Sequence, residues 1–154
     1  MHRVIRFLVE AEDEQAAFDG AREGLNALTE EGMVDYGTFF YETNTKVSGV
    51  ARYGEIIPIA NLDSREGRFL LLEGINFDYM DFKDAIKEVR KKISATDFDL
   101  FQQHPWSRHC FTKVRYCQDF IVLDKGFVGI DQLKDAIDPT KLKRYWIIPC
   151  DVHT

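Results

Sequence analysis

Residues 3–32 read RVIRFLVEA followed by EDEQAAFDGAREGLNALTEEG. In the first part, apolar residues alternate with Arg6 and Glu10, which is the period of a half-buried β-strand. The shared apolar face consists of Ile5, Phe7, Val9 and Ala11. In the second part, Asp13 can cap a helix that Gly32 stops. A strand that leads directly into an amphipathic helix predicts a mixed fold.

The chain continues with two further predicted strands. Residues 33–42 are rich in Phe and Tyr, and the apolar residues at 56–59 belong to a third strand near 50–60. Between these strands, residues 43–49 are polar and turn-like. The expected order up to this point is strand, helix, strand, strand.

A long helical region is expected next. Asp63 stands three residues before Glu66, the spacing of a box in which side chains cap a helix N-terminus. The alternative is a buried strand at 69–72, because a short apolar run does not distinguish a helix from a strand. We favour the helix. Residues 81–94 predict an amphipathic helix, whose apolar face contains Phe82, Ile86, Val89 and Ile93.

Two strands are predicted after a loop at 95–106. They are indicated by the alternation of apolar and polar residues at 108–116 and again at 118–124. The turn sequence DKG at 124–126 suits a short hairpin into the following apolar residues.

The C-terminal part predicts a short helix and a final strand. Asp131 is expected to cap the helix, which Pro139 helps to end. Residues 145–152 form the strand, and Pro149 favours an edge position for it because proline lacks a backbone N–H.

The order of elements predicts an α+β fold with a single domain over residues 1–154. The arrangement that we expect is a ferredoxin-like α/β sandwich, to which the C-terminal hairpin, short helix and final strand are added.

Charge excludes some classes of partner. The net charge is -6 and the sequence pI is about 5.2, which disfavours binding to nucleic acid or to an anionic membrane surface. No segment approaches the roughly 20 apolar residues of a membrane span. We therefore expect no membrane association.

Cysteine usage favours a reducing compartment. The chain has three cysteines, Cys110, Cys117 and Cys150, and an odd number without disulfide-framework spacing favours free thiols and the cytoplasm. The parity of the final strand places Cys150 inward beside Trp146 and Ile148.

The familiar cofactor and catalytic motifs are missing. The sequence has no Walker loop, dinucleotide glycine fingerprint, His-Glu-x-x-His or Gly-x-Ser-x-Gly. The spacings from Cys110 to Cys117 and from Cys150 to His153 match no familiar zinc site. We therefore expect no cofactor and no metal, and whether the protein is an enzyme stays open.

The candidate catalytic residues are a His/Asp cluster in the last third of the chain, formed by His104, His109, Asp151 and His153. Asp151 and His153 are two apart on one strand, so they share a face and could polarise a water together. The simpler alternative is a solvated chain end.

The candidate ligand-binding residues follow one face of the strand at 108–116: His109, Phe111, Lys113 and Arg115. Cations interleaved with an aromatic ring suit an anionic ligand. Lys141, Lys143 and Arg144 could extend this basic stripe. A solvated strand face explains the same pattern.

Strong apolar patterning and weak catalytic signatures predict a soluble binding or interaction module. The classes of partner that fit are an anionic small molecule and a protein, and the sequence does not identify either. Whether the chain forms a homo-oligomer stays open. The alternative is a small hydrolase or metal-assisted enzyme that uses the His/Asp cluster.

Overall fold

A computed structural model describes residues 2–42, 57–95, 120–122, 126–128 and 130–153. Several predicted elements lie outside these ranges: the turn at 43–49, most of the strand near 50–60, most of the loop at 95–106, the strand at 108–116 and parts of the strand at 118–124.

The described residues form six strands, three α-helices and one 3-10 helix. In chain order they are β1 (His2–Glu10), α1 (Glu14–Glu30), β2 (Tyr36–Phe39), β3 (Ala60–Asn61), α2 (Arg65–Ala95), β4 (Phe120–Val122), β5 (Gly126–Val128), α3 (Ile130–Ala136), the 3-10 helix (Pro139–Arg144) and β6 (Tyr145–His153).

The six strands described belong to one mixed sheet in the order β2-β6-β1-β4-β5, with β3 also pairing with β6. β6 runs antiparallel to β1 along its whole length, and β1 runs parallel to β4. β4 and β5 pair antiparallel, as expected of the predicted hairpin, although residues 124 and 125 of the DKG turn lie outside the described residues. β1 and β6 are therefore the centre of the sheet.

Helices cover both faces of these central strands. On one face, the side chains that pack together with α1 are Ile5, Phe7, Val9, Ala17, Phe18, Ala21, Leu25, Leu28, Val34, Phe39, Ile148, Cys150 and Val152. On the other face, those that pack with α2 and α3 are Leu8, Ala60, Leu62, Leu70, Leu133, Ala136, Tyr145 and Ile147.

This arrangement confirms the α+β class. The ferredoxin-like detail is not confirmed, because α1 and α2 lie on opposite faces and the sheet contains a parallel pair. The prediction that β1 is half-buried is wrong: Val4, Arg6 and Leu8 on its second face are also buried.

Helix α1 forms as its sequence predicts. The side chain of Asp13 accepts a hydrogen bond from the backbone N–H of Ala16 at 2.8 Å. At the other end, Gly32 has a φ of 69°, the left-handed conformation that glycine adopts at little cost.

Helix α2 is one continuous helix of 31 residues, where the sequence suggested two, and the helix rather than the strand is confirmed at 69–72. Its capping residue is Ser64, not Asp63. The Ser64 Oγ accepts from the N–H of Gly67 at 3.0 Å. Asp63 instead accepts from the Arg68 guanidinium at 3.3 Å.

The short helix α3 begins at Ile130, one residue before the predicted cap at Asp131. Pro139 follows its end as expected and opens the 3-10 helix, which the side chain of Asp138 caps.

Pro149 lies in a central strand, so the edge position predicted for β6 is wrong. The carbonyls of Tyr145 and His153 accept from the N–H groups of Leu62 and Asp35, both at 2.8 Å. Because alternate residues of a strand direct their backbone groups to the same side, the Pro149 nitrogen also points to that side. There it falls between the residues paired with β2 and those paired with β3. The missing N–H therefore costs no hydrogen bond of the sheet.

Among the helices of the described residues, none combines the length and the hydropathy that crossing a bilayer requires.

The position of the α2 cap can be tested by two substitutions. We expect Ser64→Ala to lower the free energy of unfolding by about 1 kcal/mol, because the N–H of Gly67 loses its acceptor. Asp63→Ala removes an exposed ion pair and should cost less than about 0.5 kcal/mol. Urea denaturation followed by circular dichroism measures both. A larger loss for Asp63→Ala would contradict the assignment.

Gly67 should resist replacement by alanine. A Cβ on this residue would lie 2.6 Å from the carbonyl carbon of Asn61 and 2.9 Å from the Cα of Leu62. Alanine stabilises an unhindered helix by about 1 kcal/mol relative to glycine, but here backbone atoms must move. We expect Gly67→Ala to lower the melting temperature and to reduce the free energy of unfolding by about 1–3 kcal/mol. A raised melting temperature would refute this packing.

Candidate functional site

The predicted site residues divide into two groups. Those in the first group lie outside the described residues: His104, His109, Phe111, Lys113 and Arg115. Asp151 and His153 are described, and both lie on β6. The proposed meeting of these two with His104 and His109 therefore stays a prediction.

Asp151 and His153 lie on the same face of β6 as Tyr145 and Ile147, which α2 and α3 cover. Residues opposite each other in a sheet point to the same face, and in register Thr38 stands beside Asp151 while Tyr36 stands beside His153. Asp151 is 5% exposed. A carboxylate this buried is held inside the fold, whereas the His153 side chain keeps 34% of its surface exposed.

The residue that holds His153 is Asp35. The Nδ1 of His153 lies 2.8 Å from the Asp35 Oδ2. The imidazole also stacks on Tyr36, with ring centroids 5.1 Å apart and an interplanar angle of 1°. A carboxylate that orients an imidazole is an arrangement suited to general-base chemistry. Sequence reasoning missed Asp35, because only the register of β2 on β6 brings it to His153.

A buried charge lies further along the same face. The guanidinium of Arg6 stands 3.4 Å from the Glu73 carboxylate of α2, and the Arg6 side chain is 4% exposed. The sequence had placed Arg6 on a solvated strand face. A buried cation requires an opposite charge beside it, so this pair fixes one position of α2 on the sheet.

Cys150 is on the opposite face and is a buried free thiol, as predicted. It packs with Ile148, and Trp146 lies against the same cluster. Burial, followed by the negative charge of Asp151, raises the pKa of the Cys150 thiol above its usual range. A thiol held in its neutral form is a poor nucleophile. Cys110 and Cys117 lie outside the described residues.

The basic residues expected to extend the binding stripe are on the 3-10 helix. Lys141 Nζ lies 3.6 Å from the Asp138 carboxylate, and Arg144 Nε lies 3.2 Å from the Glu10 carboxylate. These acidic neighbours reduce the attraction of the segment for an anion.

A second candidate surface is on α2. Four large apolar side chains of this helix are about half exposed: Phe69, Leu72, Tyr79 and Met80. We call these four residues the outer face of α2. Their inward counterpart is Leu70, which is 1% exposed. The helix is thus apolar both toward the sheet and away from it.

The four residues form one stripe. Successive residues of an α-helix are rotated by about 100°. Leu72, Tyr79 and Met80 follow Phe69 by three, ten and eleven positions, so all four fall within a sector of about 100°. Sequence reasoning missed this surface, because it favoured a helix at 69–72 without identifying which side of that helix the sheet covers.

The buried thiol gives a pH-dependence that can be measured. In the unfolded chain, Cys150 loses its proton near its ordinary pKa of about 8.5, whereas the folded protein retains it. Folding then binds a proton, so the free energy of unfolding falls by about 1.4 kcal/mol per pH unit above that value.

Urea denaturation between pH 7 and 10 measures this effect, with Cys150→Ala as the control. We expect the wild type to lose stability relative to Cys150→Ala as the pH rises. Parallel curves for the two proteins would show that the Cys150 pKa is not raised in the folded state.

Comparison with known proteins relates the chain to a family. A family described as a domain of unknown function, DUF7995, matches residues 1–154. No curated protein and no solved structure matches the chain. Because the match spans the whole of the sequence, the chain belongs to the DUF7995 family.

Proposed function

We propose that this protein is a non-enzymatic interaction module that binds an apolar helical surface of a protein through the outer face of α2. The observation that supports the proposal is the exposure of Phe69, Leu72, Tyr79 and Met80 along one stripe. Aromatic residues and methionine are enriched in protein interfaces. A stripe about one helix wide suits another helix, which contributes the same narrow ridge.

The charges around the stripe also favour a protein over other partners. Arg68, Glu66 and Asp84 lie beside it, and the exposed Lys83 lies within its sector. The surface therefore carries both signs. A nucleic acid or an anionic membrane would instead attract a predominantly basic face. Mixed charges surrounding an apolar centre are typical of a protein interface.

The finer parts of the proposal rest on the sequence. A reducing compartment such as the cytoplasm is supported by the odd number of cysteines and by the free thiol of Cys150. An anionic small ligand is supported by the spacing of His109, Lys113 and Arg115.

The second candidate function is a small hydrolase, which the pairing of Asp35 with His153 favours. Its test is the hydrolysis of ester and phosphoester substrates by the wild type and by His153→Gln. Turnover that this substitution abolishes would favour the hydrolase over the interaction module.

The interaction module is tested with purified full-length protein by native mass spectrometry. We expect the wild type to carry a stoichiometric protein partner, either a second copy or another chain. The double variant Leu72→Gln with Tyr79→Gln should bind the partner at least tenfold more weakly, because two central apolar contacts are lost. Glutamine is a good helix former, so α2 should keep its structure.

The matched control is Met33→Gln. Met33 is 48% exposed, close to the residues of the stripe, but it lies after α1. The Met33→Gln variant should therefore keep the partner bound. A wild type without a partner, or equal loss in the control and the α2 variant, would contradict the proposal.

A further inference from the structure

We infer that the partner presents an amphipathic helix with an acidic residue at each end of its apolar ridge, and that Arg65 and Lys83 bind these two carboxylates. This inference rests on the proposed function and specifies the chemistry of its partner. It follows from where the exposed charges of α2 lie relative to its outer face.

A cation lies at each end of the outer face of α2. Arg65 precedes Phe69 by four residues, and Lys83 follows Met80 by three. Both cations are exposed. They are 18 positions apart, which is five turns of an α-helix, so they lie on one line along the helix at a distance of about 27 Å. This line runs inside the sector of about 100° that contains the four apolar residues.

The acidic residues of α2 lie outside this sector. The helix contains six acidic residues, and a rotation of about 100° per residue places none of them within the sector of the outer face. The exposed Glu66 and Asp84 lie about 40° beyond its edge. A helix that docks along the stripe therefore meets positive charge at both ends and no carboxylate between them.

Arg65 and Lys83 have no ion-pair partner among the residues that the structure describes. The other exposed cations of this surface, Arg68 and Lys87, form ion pairs within the chain at 3.3 Å and 3.0 Å. Lys83 Nζ instead lies 5.4 Å from the centre of the Tyr79 ring. This contact holds the ammonium group beside the stripe, so both cations are available to a partner.

These two cations favour an acidic partner over other proteins. When two helices pack at a shallow crossing angle, residues about one turn beyond each end of the apolar ridge face each other. Carboxylates at these places attract Arg65 and Lys83, whereas cations there oppose docking, and such differences decide which partner binds. A second copy of α2 has cations at the same places, so it would set like charges together in either direction.

The width of the stripe favours a helix over an anionic membrane, which would also attract cations beside apolar side chains. A membrane surface contacts a wider part of a helix than a second helix does. It would therefore also meet the exposed Glu66 and Asp84, which anionic lipids repel. A single helix contacts the stripe without meeting these carboxylates.

The area indicates a transient complex. Four half-exposed side chains bury about 400 Å² of this chain, at about 100 Å² for each. Stable interfaces bury about 800 Å² on each partner. We therefore expect a dissociation constant of about 10–100 μM, and the two ion pairs should have a large share in the choice of partner.

Fluorescence anisotropy with labelled synthetic peptides tests the inference on the full chain. The probes are helical peptides of about 24 residues that share one ridge of leucine and carry either glutamate, glutamine or lysine at both ends, with the spacing of Arg65 and Lys83. We expect the glutamate peptide to bind at least tenfold more tightly than the lysine peptide, with the glutamine peptide between them. About 0.5 M salt should reduce this difference to less than about threefold, because it screens exposed charges.

Reversal of the two cations should invert the preference. We expect Arg65→Glu with Lys83→Glu to bind the lysine peptide more tightly than the glutamate peptide, since attraction and repulsion are exchanged. Glutamate is favourable in the first turn of a helix, so α2 should stay folded, which circular dichroism checks. The control is Arg22→Glu, on α1 across the sheet. This variant should keep the wild-type order of the peptides.

The outcomes separate the inference from the proposed function. Equal affinity for the three peptides, no binding of any peptide at about 1 mM, or an unchanged order in the reversed variant overturns the acidic partner, and native mass spectrometry then decides on the outer face by itself. Binding to vesicles of phosphatidylcholine and phosphatidylserine, without binding of a peptide, identifies a membrane as the partner instead and overturns both. Peptide binding that Leu72→Gln with Tyr79→Gln leaves intact also overturns both the inference and the proposed surface.

Discussion

The rest of the structure depends on the burial of both faces of β6. Eight consecutive residues of this strand, Tyr145–Val152, lie inside the protein: seven of them are buried and Trp146 is partly buried. A strand with this pattern cannot lie on a surface, because each face needs a layer of helix to exclude water. Helix α1 covers one face of β6, and α2 with α3 covers the other. The same helices cover the two faces of β1. Pro149 is tolerated at the centre only because it faces the interval between β2 and β3.

The same constraint explains the placement of α2. Three contacts hold the start of this helix against the sheet: the Ser64 cap, the close approach of Gly67 to Asn61, and the buried pair of Arg6 with Glu73. Together they fix which side of the helix faces inward. The opposite side carries Phe69 and Leu72 outward with no freedom to rotate into the core, and this fixed exposure leads us to propose an interface.

The sequence predicted those parts of the fold that local chemistry determines. Asp13 and Gly32 bound α1 as expected, and the alternation of β1 identified one of its two buried faces. The errors came from long-range packing. Arg6 looked solvated because its partner Glu73 is 67 residues away, and Pro149 looked like an edge residue because strand order is not encoded by spacing.

The candidate site was predictable to a smaller extent. Strand parity correctly placed Asp151 and His153 on one face and Cys150 on the other. It could not supply Asp35, which only the β2 register brings to His153. The outer face of α2 was missed because an apolar run gives no sign of which side will be covered.

The most direct measurement is photo-crosslinking from a reactive amino acid in place of Asn76. This residue is exposed and lies at the centre of the stripe. The account predicts a covalent adduct that links position 76 to a protein partner. A linkage only within the same chain, or the absence of any covalent adduct with a protein, would contradict it.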